Sequence, residues 1–163
     1  MAIRIFRLIL LLILIVTAFP GCSAENSDKG KDAALNEHPW LHEAADGTIS
    51  LWTVDYKQVM NMIVWALQNN RDDLLLDQVI SEQTKADYIS QGRDPAEAVQ
   101  WLHNHEADVN RLFSLLRNAR GRTETVYPGR LRMTLYGQLR YQLPVTAIEV
   151  VQEGRIWKLA VIY

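Results

Sequence analysis

The spacing of hydrophobic and polar residues changes near Gly121, and the change divides the chain into two kinds of structure. Before Gly121, apolar residues recur at steps of three and four, as on one face of a helix. Tyr56, Val59, Met60, Ile63 and Leu67 predict a first helix with Thr53 as its N-cap and Asn69-Asn70 at its end. Asp72-Asp73 opens a shorter segment, Leu74 to Ile80, with acids where a helix N-terminus favours them. Ser81 and Glu82 to Ser90 predict a third helix, closed by Gln91-Gly92. The fourth start is marked by Asp94-Pro95-Ala96-Glu97, which combines a cap, a first-turn proline and an acid at the capping-box position. Its apolar face runs Ala98, Trp101, Leu102, His105, Val109, Leu112, Phe113, Leu116, with Gly121 as the stop.

Beyond Gly121 the period is two. Thr123 to Tyr127 predicts a strand and Pro128-Gly129 a turn. Arg130 to Tyr136 then alternates, with Leu131, Met133 and Leu135 on one face and Arg130, Arg132 and Thr134 on the other. Leu139 to Val151 reads as a strand with a bulge or edge position at Pro144. Gln152-Glu153-Gly154 turns into Arg155 to Tyr163, where Trp157, Leu159 and Val161 are expected on one face, against Trp101, Leu112 and Phe113. Helices first and an antiparallel sheet second give an α+β fold. The stretch from Glu37 to Leu51 reads as irregular, punctuated by Pro39 and Asp46-Gly47.

The N-terminus reads as an address. Arg4 and Arg7 precede a twelve-residue apolar run, Leu8 to Phe19. As a helix it would span about 18 Å, short of a bilayer's ~30 Å hydrocarbon core, so it reads as a secretory signal. Phe19-Pro20-Gly21-Cys22-Ser23 resembles a bacterial lipobox, although that family prefers leucine where Phe19 stands. The resemblance implies cleavage before Cys22, diacylation of Cys22 and attachment to a membrane through that lipid. Ser23 implies, in a two-membrane bacterium, sorting to the outer membrane with the protein facing the periplasm. The expected organisation is a signal peptide over 1–21, a polar tether over 22–36 and a single α+β domain over 37–163.

The ending Val150-Val151-Gln152-Glu153-Gly154-Arg155-Ile156-Trp157-Lys158-Leu159 resembles small bacterial members of the nuclear transport factor 2-like family. Asn70-Arg71-Asp72-Asp73-Leu74-Leu75, followed by Ser81-Glu82-Gln83-Thr84, resembles their second and third helices. The resemblance implies a cone-like fold, a curved sheet wrapped over helices around a pocket. That fold hosts enzymes, ligand binders and interaction modules alike, so it does not choose among them. In the family's enzymes a histidine, aspartate or tyrosine inside the cone does acid–base work. Here that points to His105, with Glu149 as partner, for an isomerase- or dehydratase-like reaction.

Composition narrows the chemistry. The 163 residues contain one cysteine, which leaves no disulfide framework, and no thiol once Cys22 is acylated. His103 and His105 point about 200° apart on a helix, and Pro39 interrupts any helix through His38 and His42, so no metal site is expected. No cofactor motif is present. Charge is the most informative feature. Residues 51–110 carry ten acids against four bases, whereas residues 111–163 carry nine bases against three acids. Arg120, Arg122, Arg130, Arg132 and Arg140 cluster around the predicted sheet, and the guanidinium fork suits carboxylate and phosphate. Either these arginines pair internally, with Asp72, Asp73, Asp77 or Glu82, or they receive an anionic headgroup, peptidoglycan or an acidic protein. Nucleic acid is not an expected partner, since no basic–aromatic motif argues for it. The reading is an envelope protein that acts by binding an anionic or small apolar ligand or an envelope partner. A cone-fold enzyme and a structural accessory of an envelope assembly are the alternatives.

Overall fold

The structure is a computed structural model that describes residues 38–163. Residues 1–21, read above as a signal peptide, Cys22, and the stretch to residue 36, read as a tether, lie outside the described residues. The described chain is α+β, with five helices and two antiparallel sheets. A hairpin, β1 (Leu41–Glu43) and β2 (Ile49–Leu51), comes first, where the sequence suggested irregular chain. Asp46-Gly47 is its turn: Asp46 Oδ1 accepts from the Thr48 amide at 2.9 Å, and Gly47 takes a φ of +83°.

Helix α1 (Gln58–Gln68) buries the stripe that its periodicity predicted, Val59, Met60, Ile63 and Leu67. Thr53 does not cap it. Its hydroxyl closes a turn on the Asp55 amide at 3.0 Å, and its carbonyl accepts from the Trp157 amide at 2.9 Å. The residue is thus occupied in pinning the sheet, and the helix starts four residues later. Helix α2 (Asp72–Leu74) runs into a π-helical turn, Leu75–Val79. Helix α3 (Glu82–Ser90) begins as predicted: Ser81 Oγ accepts from the Thr84 amide at 3.1 Å.

The long fourth helix is two helices, α4 (Ala96–Asn104) and α5 (Glu106–Arg117). The capping box at its start forms, with Glu97 accepting from the Asp94 amide and Asp94 from the Ala96 amide. The break falls at His105, where φ is −117° and ψ 19°. Both the backbone amide and the ring Nδ1 of His105 bond to the Trp101 carbonyl, at 3.1 and 2.9 Å. A side chain competing for a backbone acceptor of its own helix is a physical reason for the interruption.

The large sheet has the order β3 (Gly121–Tyr127), β4 (Arg130–Leu135), β5 (Ala147–Glu153), β6 (Ile156–Ile162), all antiparallel. Residues 139–146 do not belong to a strand. Gly137, at φ +50°, leads into a 3₁₀ turn over Gly137–Tyr141, and Pro144, which has no N–H to give a ladder, keeps β5 from starting before Ala147. On β6 a bulge at Ala160 lets Glu149 pair with Val161 and Val150 with Leu159. Trp157 and Leu159 therefore face the helices, but Val161 is moved to the opposite face, which corrects the expected three-residue stripe.

The core lies between the helices and the sheet's inner face. Val59, Ile63, Leu112, Phe113, Ile148 and Val150 are fully buried there. Ile80 forms a parallel bridge with Leu159, the Ser81 amide donates to the Leu159 carbonyl and Thr84 Oγ1 to that of Ala160, so this segment covers the β6 edge. At the start of β3, a Cβ on Gly121 would meet the Leu116 side chain and lie 2.6 Å from the Thr134 carbonyl oxygen. Backbone cannot give way cheaply, so Gly121→Ala is expected to cost about 1–3 kcal/mol in urea unfolding. Unchanged stability would mean that β3 and β4 lie farther apart at that point.

Candidate functional site

The site is built by strand alternation on the sheet's outer face, away from the helices. One cross-strand row holds Glu124, Arg132, Glu149 and Val161; the next holds Arg122, Thr134 and Ala147. Period two puts every second residue of β4 outward, so Arg130, Arg132 and Thr134 share this face, as the pattern predicted.

Glu149 is the centre of the row. Its side chain is 2% exposed although it belongs to the outer face. Arg130 Nε donates to one carboxylate oxygen at 2.5 Å. Arg132 Nε donates to the other at 2.6 Å, as does the Tyr163 hydroxyl at 2.8 Å. The guanidinium groups in turn lie over aromatic rings, Arg130 over Tyr127 and Arg132 over Tyr163. Burial pushes the Glu149 carboxyl up, but hydrogen bonds from Tyr163, Arg130 and Arg132 outweigh it and hold the group below the ordinary glutamate value. Burial and the bond to Glu149 both raise the Tyr163 phenol. Glu149 is thus a fixed anion that neutralises part of the arginine cluster.

It does not neutralise all of it. Arg122 and Arg132 share Glu124 at 3.4 and 3.7 Å, and among the described residues Arg140 has no acidic partner. Arg122, Arg132, Arg140 and Tyr163 wall an open cavity of about 400 Å³, with Thr134, Thr146 and Ala147 also lining it. The four arginines 122, 130, 132 and 140 face two glutamates, a local excess of two positive charges. Thr134 is 5% exposed and its hydroxyl makes no hydrogen bond among the described residues, a cost of about 1–3 kcal/mol for a buried polar group unless something pairs with it.

Of the five arginines singled out from sequence, Arg122, Arg132 and Arg140 meet at this cavity. Arg130 joins through Glu149 and reaches toward Gln83 of α3 at 3.5 Å. Arg120 is exposed in the turn before β3 and does not line the cavity. The expected internal partners are corrected: Asp73 pairs with Arg71, Asp72 with His103, and Glu82 with Lys85 and Lys158. The pairing acids are Glu149 and Glu124, both from the sheet itself. Sequence reasoning also missed Thr134 as a lining group, and Tyr163. Thr134 was legible from the β4 alternation, whereas Tyr163 was hidden by the bulge at Ala160.

His105 and Glu149 are not brought together. His105 gives its Nδ1 to the Trp101 carbonyl and stacks on the Trp101 ring at 4.3 Å, while Glu149 is fully engaged by arginine and tyrosine. A second, smaller cavity of about 180 Å³ lies between α3, α4 and β6. Tyr88, Ala98, Trp101, Leu102, Leu159 and Ile162 line it, and it is predominantly apolar. Among the described residues no group of three His, Cys, Asp or Glu side chains is placed to hold a metal ion. No helix among them is long and apolar enough to cross a membrane. No protein-family model matches the chain, and no curated protein or solved structure matches it.

Proposed function

We propose that this chain is a non-catalytic binding protein of the bacterial envelope, held to a membrane by lipid on Cys22, with a cone-like domain that takes an anionic ligand. The arginine-walled cavity on the outer face is the proposed binding site. The observation that carries the reading is the imbalance there: two positive charges in excess, beside a buried Thr134 hydroxyl with no partner. A carboxylate or phosphoryl group supplies both missing elements, negative charge for Arg122 and Arg140 and an acceptor for the hydroxyl. The placement of Glu149 favours binding over acid–base catalysis, because a carboxylate held ionised by two arginines is a poor proton carrier at neutral pH.

The test is calorimetric titration of the full chain in neutral detergent with inorganic phosphate, acetate and micelles of an anionic phospholipid. The parent should bind at least one of them, more weakly as salt rises. Arg122→Glu/Arg140→Glu changes two exposed side chains, so it should leave the fold intact and weaken binding about tenfold or more, a loss of about 1.4 kcal/mol. Binding to micelles alone would identify a headgroup rather than a soluble anion. Equal binding by parent and variant, or no binding by the parent, would overturn the reading.

A further inference from the structure

Helix α1 carries a second surface of different chemistry. Over Gln58–Gln68 it has no charged residue. Its inner stripe is buried; Gln58, Asn61, Val64 and Trp65 on the other side are part-exposed and Gln68 is exposed. A helix stripe that meets only water ordinarily carries lysine, glutamate and arginine. Here it carries amides, a valine and an indole.

This stripe forms one wall of an open groove of about 430 Å³, with Trp40 and Arg117 also lining it. Trp40 and Trp65 meet edge to face, with ring centroids 6.0 Å apart at 70°. The polar groups are ordered in series. Asn61 Nδ2 donates to Gln58 Oε1 at 2.7 Å, and Arg117 Nη1 donates to Asn61 Oδ1 at 2.7 Å. That chain fixes the amide orientations before any ligand arrives and leaves the Gln58 amide nitrogen and the rest of the Arg117 guanidinium as donors. Gln68 stands exposed at the far end, with neither amide atom bonded among the described residues.

We infer that the groove binds a neutral oligosaccharide, a pyranose ring resting on Trp65 with its hydroxyls on the Gln58, Asn61 and Gln68 amides and on Arg117. A sugar hydroxyl both donates and accepts, as a carboxamide does, so the two match in a way that a fixed charge does not. An indole offers a large, rigid apolar area with few rotors to immobilise, which suits the C–H face of a sugar ring. Fixed amides reduce the ordering cost of binding. Among its lining residues the groove holds one fixed charge, Arg117, which already donates to Asn61, whereas three arginines wall the anion cavity, so the two sites are separable.

The experiment titrates the full chain in neutral detergent with four neutral oligosaccharides: the tetramer of N-acetylglucosamine, maltotetraose, cellotetraose and mannotetraose. Binding is followed by tryptophan fluorescence and calorimetry. At least one should bind and change the emission. Trp65→Ala should abolish that binding, and Gln68→Ala should weaken it several-fold. Trp65 is half-buried, so its loss also loosens the helix; Gln68 is exposed, so its variant should keep the parent melting temperature and still bind less. Arg122→Glu/Arg140→Glu should leave sugar binding unchanged, which separates this site from the anion site. The inference is overturned if none of the four binds, or if Gln68→Ala and Trp65→Ala bind as the parent does.

Discussion

Replacing Glu149 with alanine is expected to remove about 3 kcal/mol of stability, among the largest losses available to any outward-facing residue of this sheet. The side chain is 2% exposed, and its two oxygens receive Arg130, Arg132 and Tyr163. Truncation leaves two guanidinium groups side by side with nothing between them. Breaking a buried pair by removing one partner costs about 3–5 kcal/mol, and the lower end applies because Arg132 is 37% exposed and can regain water. The same carboxylate predicts a pH dependence with a definite sign. Its folded value lies below that of an unfolded glutamate, so its contribution is full above the unfolded value near about 4.3. It is lost as pH falls through the folded value. Urea midpoints measured from pH 7 down to 3 should therefore fall more steeply for the parent than for Glu149→Gln, which has no proton to bind. Parallel curves would mean that the carboxylate is not held in this way.

The residues of this cluster show what the sequence could and could not reveal. The alternation in β4 placed Arg130 and Arg132 outward, as the structure has them. Which strand residues stand opposite one another is set by register, and register is a long-range property. Only the pairing of Arg132 with Glu149 turned a residue suspected of acid–base work into the counter-ion of the arginines. Local competition explains other departures. Thr53 has the residue type of an N-cap, but its hydroxyl and carbonyl are taken by Asp55 and Trp157. His105 continues an apolar helical face in sequence, but its ring bonds to the Trp101 carbonyl and the helix stops there. The β1–β2 hairpin was missed because its strands are three residues long, too short for period two to register. Where a helix start was written twice, as in Asp94 with Glu97, sequence and structure agree. Redundant local signals survive tertiary packing better than single ones.

The place of Trp157 toward the end of the sheet also changes which aromatic residue should matter most to the fold. Periodicity alone gives Trp157 the central place on β6. In the structure Trp157 is only partly buried and meets Tyr56 edge-on at 5.9 Å, toward the end of the sheet. Phe113 of α5 is fully buried, the largest such side chain, within the cluster that includes Met133, Ile148 and Val150. Phe113→Ala removes a ring that no neighbour can replace, and a cavity of that kind costs about 3–5 kcal/mol. Trp157→Ala exposes less apolar area and leaves its backbone bond to Thr53 in place, so its cost should be about half as large. Thermal unfolding of the two variants should therefore rank Phe113→Ala well below Trp157→Ala, with the former roughly 10–20 °C below the parent. The reverse ranking would place Trp157 at the centre of the core.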